Sequence, residues 1–189
     1  MSDHVTAVCH STYYQLCQLR TIVRSLSDDA KKMLTQSFVS CRLDYCSTLL
    51  YGISRCLIQR LRSVQNAAAR LVTGPRRRDH ITPVLRQLRW LPVKQRIDFE
   101  LAVMVYKSLH GFAPPYLLEN CQLVTEVGRR HLMSSDVYTC IVPQTQSQIS
   151  DRSFTAAGPR LWNSLPIETR RKDITFEHYR RLLKAYLLV

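Results

Sequence analysis

Arginine is the residue type that sets what chemistry this sequence can do. The chain of 189 residues carries 27 Lys and Arg against 14 Asp and Glu, a net charge of +13, and 21 of the cations are Arg. Guanidinium holds phosphate bidentately where ammonium is a point charge, so this bias points to phosphate recognition rather than to generic solubility. The charge is also local. From Arg55 to Arg96 there are eleven Lys or Arg and one acid, Asp79, so a net +10 of the +13 falls in 42 residues. Within that span Arg55, Gln59, Arg62, Asn66 and Arg70 recur every three or four residues, which gathers them into one stripe of a helix beside which a phosphate backbone can run. Arg76, Arg77 and Arg78 follow Gly74 and Pro75 directly, and three adjacent like charges call for an anion or water between them. The candidate nucleic-acid-binding residues are therefore Arg55, Arg62, Arg70, Arg76, Arg77, Arg78, Arg86 and Lys94. The bland alternative is a solvated polar face, which Gln59 and Asn66 suit equally well.

Other chemistries lack their residues. Metal-dependent polymerases and nucleases need converging carboxylates; the adjacent pair Asp28 and Asp29 follows Ser27 and reads as a cap with an acidic first turn. Cys41 and Cys46 are five apart, Cys9 adjoins His10, and Cys121 is nineteen from Cys140, spacings that suit no paired zinc site. With seven cysteines, an odd number, free thiols in a reducing compartment fit best. No phosphate loop, G-x-S-x-G or H-E-x-x-H is present. Trp90 and Trp162 have the type to stack on bases, but "LRWLP" and "RLWNSLP" set each among leucines before a proline, a core setting.

The elements that must position these residues are helices. Val8, Tyr13, Leu16, Cys17, Leu19, Ile22 and Val23 predict one face of a first helix between Val5 and Leu26, and Ser27 caps a second running to about Leu50. A third spans Ser54 to Thr73, with Leu57, Ile58, Leu61, Val64, Ala68, Leu71 and Val72 on its apolar face and Gly74 as its cap. Thr82 and Pro83 open a fourth, to about Leu88, and Pro92 opens a fifth ending at Gly111. "APPYLLENC" is expected to form a short capping turn or helix. The stretch 121–150 is rich in Ser, Thr and Gln, with a short strand expected from Val137 to Val142. Helical signals resume in "RSFTAAGPRLWNSLP" and from Phe176 to Tyr186. The fold class is mostly α: a multi-helix bundle over 1–118, an irregular linker over 119–150 with one short strand or hairpin, and a small helical segment over 151–189. No run of about 18 apolar residues and no signal-peptide pattern occur, which predicts neither a membrane span nor secretion but a cytoplasmic or nuclear protein.

Four blocks carry a family resemblance: "SCRLDYCSTLLYGIS", "LRSVQNAAARLVTG", "DHITPVLRQLRWLPVKQRIDFELAVMVYKSLHGFAPPYL" and "DRSFTAAGPRLWNSLP". Together, in order and from about His4 to Leu187, they resemble the region downstream of the polymerase palm in reverse transcriptases of LINE-type non-LTR retrotransposons. Arg89 stands before Trp90 where such proteins often have His, and Ser150 before Asp151 where Gly is common. The resemblance implies a thumb-like bundle and C-terminal extension that hold RNA or an RNA/DNA hybrid. It implies no catalytic residue and no cofactor in these positions, since the palm aspartates, with their Mg requirement, have no counterpart here. The implied origin is a C-terminal fragment whose partner is the polymerase palm. The competing expectation is a domesticated helical module that docks another protein through its apolar faces.

Overall fold

The computed structural model describes residues 1–74, 79–124 and 138–188, and 71% of these described residues are helical, as a mostly-α bundle requires. Two compact units divide at Ile97 and Asp98, inside a helix, whereas the sequence suggests boundaries near 118 and 150. The described residues of the expected linker fall in the second unit.

The first unit opens with α1 (Ser2–Ile22), whose buried residues are Val5, Cys9, Thr12, Leu16 and Leu19. Their alternating spacing of four and three is a narrow helix–helix seam. The expected face is thereby rotated: Tyr13, Cys17 and Ile22 point to solvent. Thr12 can take a core position because its hydroxyl donates to the Val8 carbonyl at 2.7 Å, which avoids the cost of burying that hydroxyl unpaired. After a 3-10 turn (Val23–Ser25), Ser27 caps α2 (Asp28–Thr35), its hydroxyl accepting from the Ala30 amide at 3.3 Å.

The second helix does not run unbroken to Leu50. It passes through a π turn (Gln36–Ser40) into α3 (Cys41–Asp44), reverses at Cys46 with φ +53°, and continues as a 3-10 turn (Ser47–Leu50). The π turn inserts one residue and so brings Val39, Ser40 and Leu43 to the core side together. Arg42 braces it, donating to the Phe38 carbonyl at 2.7 Å and to the Ser11 hydroxyl at 3.2 Å.

The next helix, α4 (Arg55–Thr73), buries Leu61, Val64, Ala68 and Val72 and ends at Gly74, φ +78°, as its sequence predicts. The following helix, α5 (Ile81–Gln87), starts one residue before the expected Thr82 cap, with His80 in the capping place and Pro83 in the first turn. That turn's amides have no intrahelical partner, so the proline costs no hydrogen bond there. Its other end is a left-handed cap on a non-glycine residue: Arg89 has φ +54°, the Trp90 amide donates to the Leu85 carbonyl at 2.9 Å, and the Arg89 amide to the Arg86 carbonyl at 3.0 Å. Pro92 then leads into α6 (Val93–Leu109). Val5, Cys9, Leu16, Val39, Leu61, Val64, Ala68, Val93 and Ile97 form the core of this unit, and Trp90 packs against it half-buried. Gln65, 1% exposed, donates from its amide to the Leu91 carbonyl at 2.7 Å, a polar clip between α4 and the segment joining α5 to α6.

The second unit takes the rest of α6 with α7 (Pro115–Leu118), α8 (Phe154–Ser164) and α9 (Phe176–Leu187). Tyr179 on α9 is fully buried, stacks on Tyr106 at 4.4 Å, and donates to the Ala102 carbonyl at 3.0 Å. Trp162 on α8, 1% exposed, is a core residue whose indole N–H donates to the Tyr138 carbonyl at 2.8 Å. The expected strand reduces, among the described residues, to one antiparallel bridge between Leu123 and Cys140. Asn163 completes its outer edge in place of a second strand, accepting from the Cys140 amide at 2.9 Å and donating to its carbonyl at 2.8 Å. Val137 lies outside the described residues.

The two left-handed caps give opposite expectations. Arg89→Gly relieves a backbone conformation that costs a non-glycine residue about 1 kcal/mol, so it raises stability by roughly that amount. Gly74→Ala lowers it by about the same, with no clash contributing, since a Cβ there meets no atom within 4 Å. Denaturant unfolding of both variants checks the pair; a neutral or destabilising Arg89→Gly would show that the arginine side chain contributes more than its backbone costs.

Candidate nucleic-acid interface

The apolar side of α4 fixes where its polar residues go. At about 100° per residue, Arg55, Gln59, Arg62, Asn66 and Arg70 fall within roughly 80° of one another, turned away from Leu61, Val64, Ala68 and Val72. The stripe extends for about 22 Å, the rise of fifteen residues. Arg55, Gln59 and Arg62 are exposed, whereas Asn66 and Arg70 are half-buried. The Asn66 side-chain oxygen and the Arg70 Nε atom are buried without partners among the described residues. Arg70 also donates from Nη2 to the Asp79 carbonyl at 3.4 Å. The stripe therefore has a half open to solvent and a half partly engaged by the fold.

Of the other expected residues, Arg86 is exposed in the last turn of α5 and Lys94 is exposed in the first turn of α6. They share the first unit with α4 but stand on different helices. Arg76, Arg77 and Arg78 lie outside the described residues. Not every cation of the span serves a face. Arg96 is 13% exposed and pairs with Asp44 of α3 at 3.1 Å, an approach without hydrogen-bond alignment. Burial pushes the Asp44 carboxyl above its ordinary range, and Arg96 only partly opposes this.

The structure adds cations that sequence spacing did not single out. Beyond Arg70 the stripe meets Thr73 and Gly74, which line a cleft of about 460 Å³ together with Arg24, Lys31 and Lys32. These three flank the Ser27 cap, which read as helix punctuation, and only the tertiary fold brings them to the end of α4. Elsewhere the chemistry is quiet. All seven cysteines are free thiols, and burial pushes Cys121 up to about 11 despite a hydrogen bond with Ser108. Among the described residues no group of three His, Cys, Asp or Glu is placed to hold a metal ion, and no helix is long and apolar enough to cross a membrane.

The half-buried pair sets a pH dependence. A carboxyl whose pKa is higher folded than unfolded makes the folded state bind the extra proton, so its contribution to stability falls as pH rises from the unfolded value through the folded one. The stability of the native chain relative to Asp44→Asn is thus greatest near pH 3 and declines just above the ordinary carboxylate range. Unfolding of both proteins between pH 3 and pH 7 measures it; a difference that grows with pH would mean that attraction to Arg96 outweighs burial. Comparison of the chain with protein families, with curated proteins and with solved structures finds no match.

Proposed function

We propose that this chain binds RNA or an RNA/DNA hybrid, without sequence preference, through the outward half of the α4 stripe. The reading is carried by one observation: Arg55, Gln59 and Arg62 stand exposed in one line on α4, within a span that holds most of the net charge. Phosphate contacts of this kind position a strand without reading its bases. The resemblance to the post-palm region of non-LTR retrotransposon reverse transcriptases supplies the biological setting. These residues are then a non-catalytic C-terminal part of an RNA-directed DNA polymerase, whose Mg-binding aspartates lie in the palm it would accompany. Primer extension by the chain alone would overturn that assignment.

A second reading, a helical module for docking another protein, draws on exposed apolar side chains in the first unit: Tyr14 is 59% exposed, Met33 68%, Tyr45 67% and Leu49 63%. Exposed apolar surface of this kind marks interaction sites when it is contiguous. A monomeric, monodisperse chain in sedimentation counts against this reading.

Binding to an RNA hairpin and to a hybrid duplex, measured by anisotropy from 50 to 300 mM salt, tests the first. Affinity falls steeply with salt as counterions are released. Arg55→Ala with Arg62→Ala weakens both ligands alike and lowers the logarithmic salt slope by about 2, one for each lost phosphate contact. Replacing Arg76, Arg77 and Arg78 by Ala likewise weakens binding on all sequences. Affinity no greater at low salt than that of a charge-neutral control protein would end the proposal.

A further inference from the structure

We infer that the cleft at the C-terminal end of α4 is a nucleotide site, taking the phosphate of one nucleotide on its cationic rim and the base against its apolar wall. The nucleotide is the terminal unit of a strand that follows the α4 stripe, and to that extent the inference rests on the reading above. A free nucleotide offers the same chemistry.

The cleft's volume of about 460 Å³ lies within the roughly 300–1,000 Å³ usual for small-ligand sites. Its lining is divided by type. Val23, Leu71 and Leu88 give apolar surface, and Arg24, Lys31 and Lys32 give positive charge. An inorganic anion would use only the rim and a neutral base only the wall; a nucleotide uses both. Hydrogen-bonding groups are also part of the lining. The last carbonyls of a helix have no intrahelical partner, so the α4 end at Val72, Thr73 and Gly74 offers acceptors to base and ribose donors. The Gln87 amide, also in the lining, offers both a donor and an acceptor.

The cations are within reach of a phosphate. Lys31 pairs with Asp28 at 2.8 Å and Lys32 with Asp29 at 3.5 Å, but these carboxylates are 80% and 92% exposed. Exposed pairs are weak and yield to a dianion. No hydrogen bond or ion pair engages Arg24 among the described residues. Asp28 is the acid in the lining and opposes a phosphate, so its removal is informative.

Titrating the full chain with adenosine monophosphate, followed by calorimetry and by amide shifts, tests the inference. Saturable binding is expected, with inorganic phosphate and adenosine each binding more weakly. Replacing Arg24, Lys31 and Lys32 together by Ala lowers affinity roughly tenfold or more, the loss expected from charge-assisted contacts, with helicity checked by circular dichroism. Asp28→Asn raises affinity instead. A 5′-phosphorylated single-stranded RNA should outbind its unphosphorylated form if the strand end occupies the cleft; equal affinity with intact mononucleotide binding assigns the cleft to free nucleotide. Failure of adenosine monophosphate to bind, or binding that survives the triple replacement, overturns the site. That outcome leaves strand binding to be judged by the Arg55→Ala and Arg62→Ala pair alone. Conversely, mononucleotide binding alongside unchanged oligonucleotide affinity in that pair upholds the cleft and overturns the stripe.

Discussion

The two-faced character of α4 is the constraint on which the first unit rests. Leu61, Val64, Ala68 and Val72 are buried, and Leu61 and Val64 pack with Val5, Cys9, Val39 and Ile97 from other helices. A helix held this firmly on one side has no freedom to choose what it shows on the other, so Arg55, Gln59 and Arg62 face out as a consequence of core packing. Gln65 reinforces the arrangement: a buried amide that donates to the Leu91 carbonyl fixes the rotation of α4 against the following segment. Apolar contacts tolerate small rotations, while a hydrogen bond in the interior does not.

Much of this was legible in the chain because long amphipathic helices write their period plainly. The bounds of α4, its Gly74 cap, the Ser27 cap and the proline before α6 all follow from residue type alone. The misread face of α1 has a physical cause. Hydrophobicity favours Tyr13 and Cys17 over Thr12, but a threonine that returns its hydroxyl to the preceding turn is, for packing, a small apolar residue, and a tyrosine can keep its hydroxyl in water. The interruption after Thr35 left no comparable mark, since a π turn uses residues an ordinary helix also accepts. The candidate site was half legible. Spacing gathers the stripe, but local charge counting cannot tell Arg96, spent on Asp44, from Arg62 in solvent, and it does not foresee Arg24, Lys31 and Lys32 meeting the end of α4.

The second unit is held by a different means. Tyr106, Tyr179 and Trp162 are large aromatic side chains, and Tyr179 and Trp162 direct their polar atoms to backbone carbonyls, so burial is compatible with hydrogen bonding. Asn163 shows the same economy: a side-chain amide reproduces the pairing of a strand edge at Cys140. An isolated bridge of this type needs no sheet, and so no sustained two-residue period marks it in the residues around Cys140.

The π turn at Gln36–Ser40 bears on how this chain can change over time. It holds one residue more than an α-helix needs, and that extra residue sets the rotation of everything from Cys41 to Asp44. Loss of a single codon in this stretch would leave a regular helix, yet swing Leu43 and Asp44 by about 100°, taking one from the core and the other from Arg96. Point substitutions at exposed Gln36 or Ser37 carry no such consequence. The segment is thus tolerant of altered spelling and intolerant of altered length, an asymmetry that descendants of this sequence should display as fixed spacing between Ser27 and Leu43 amid drifting surface residues.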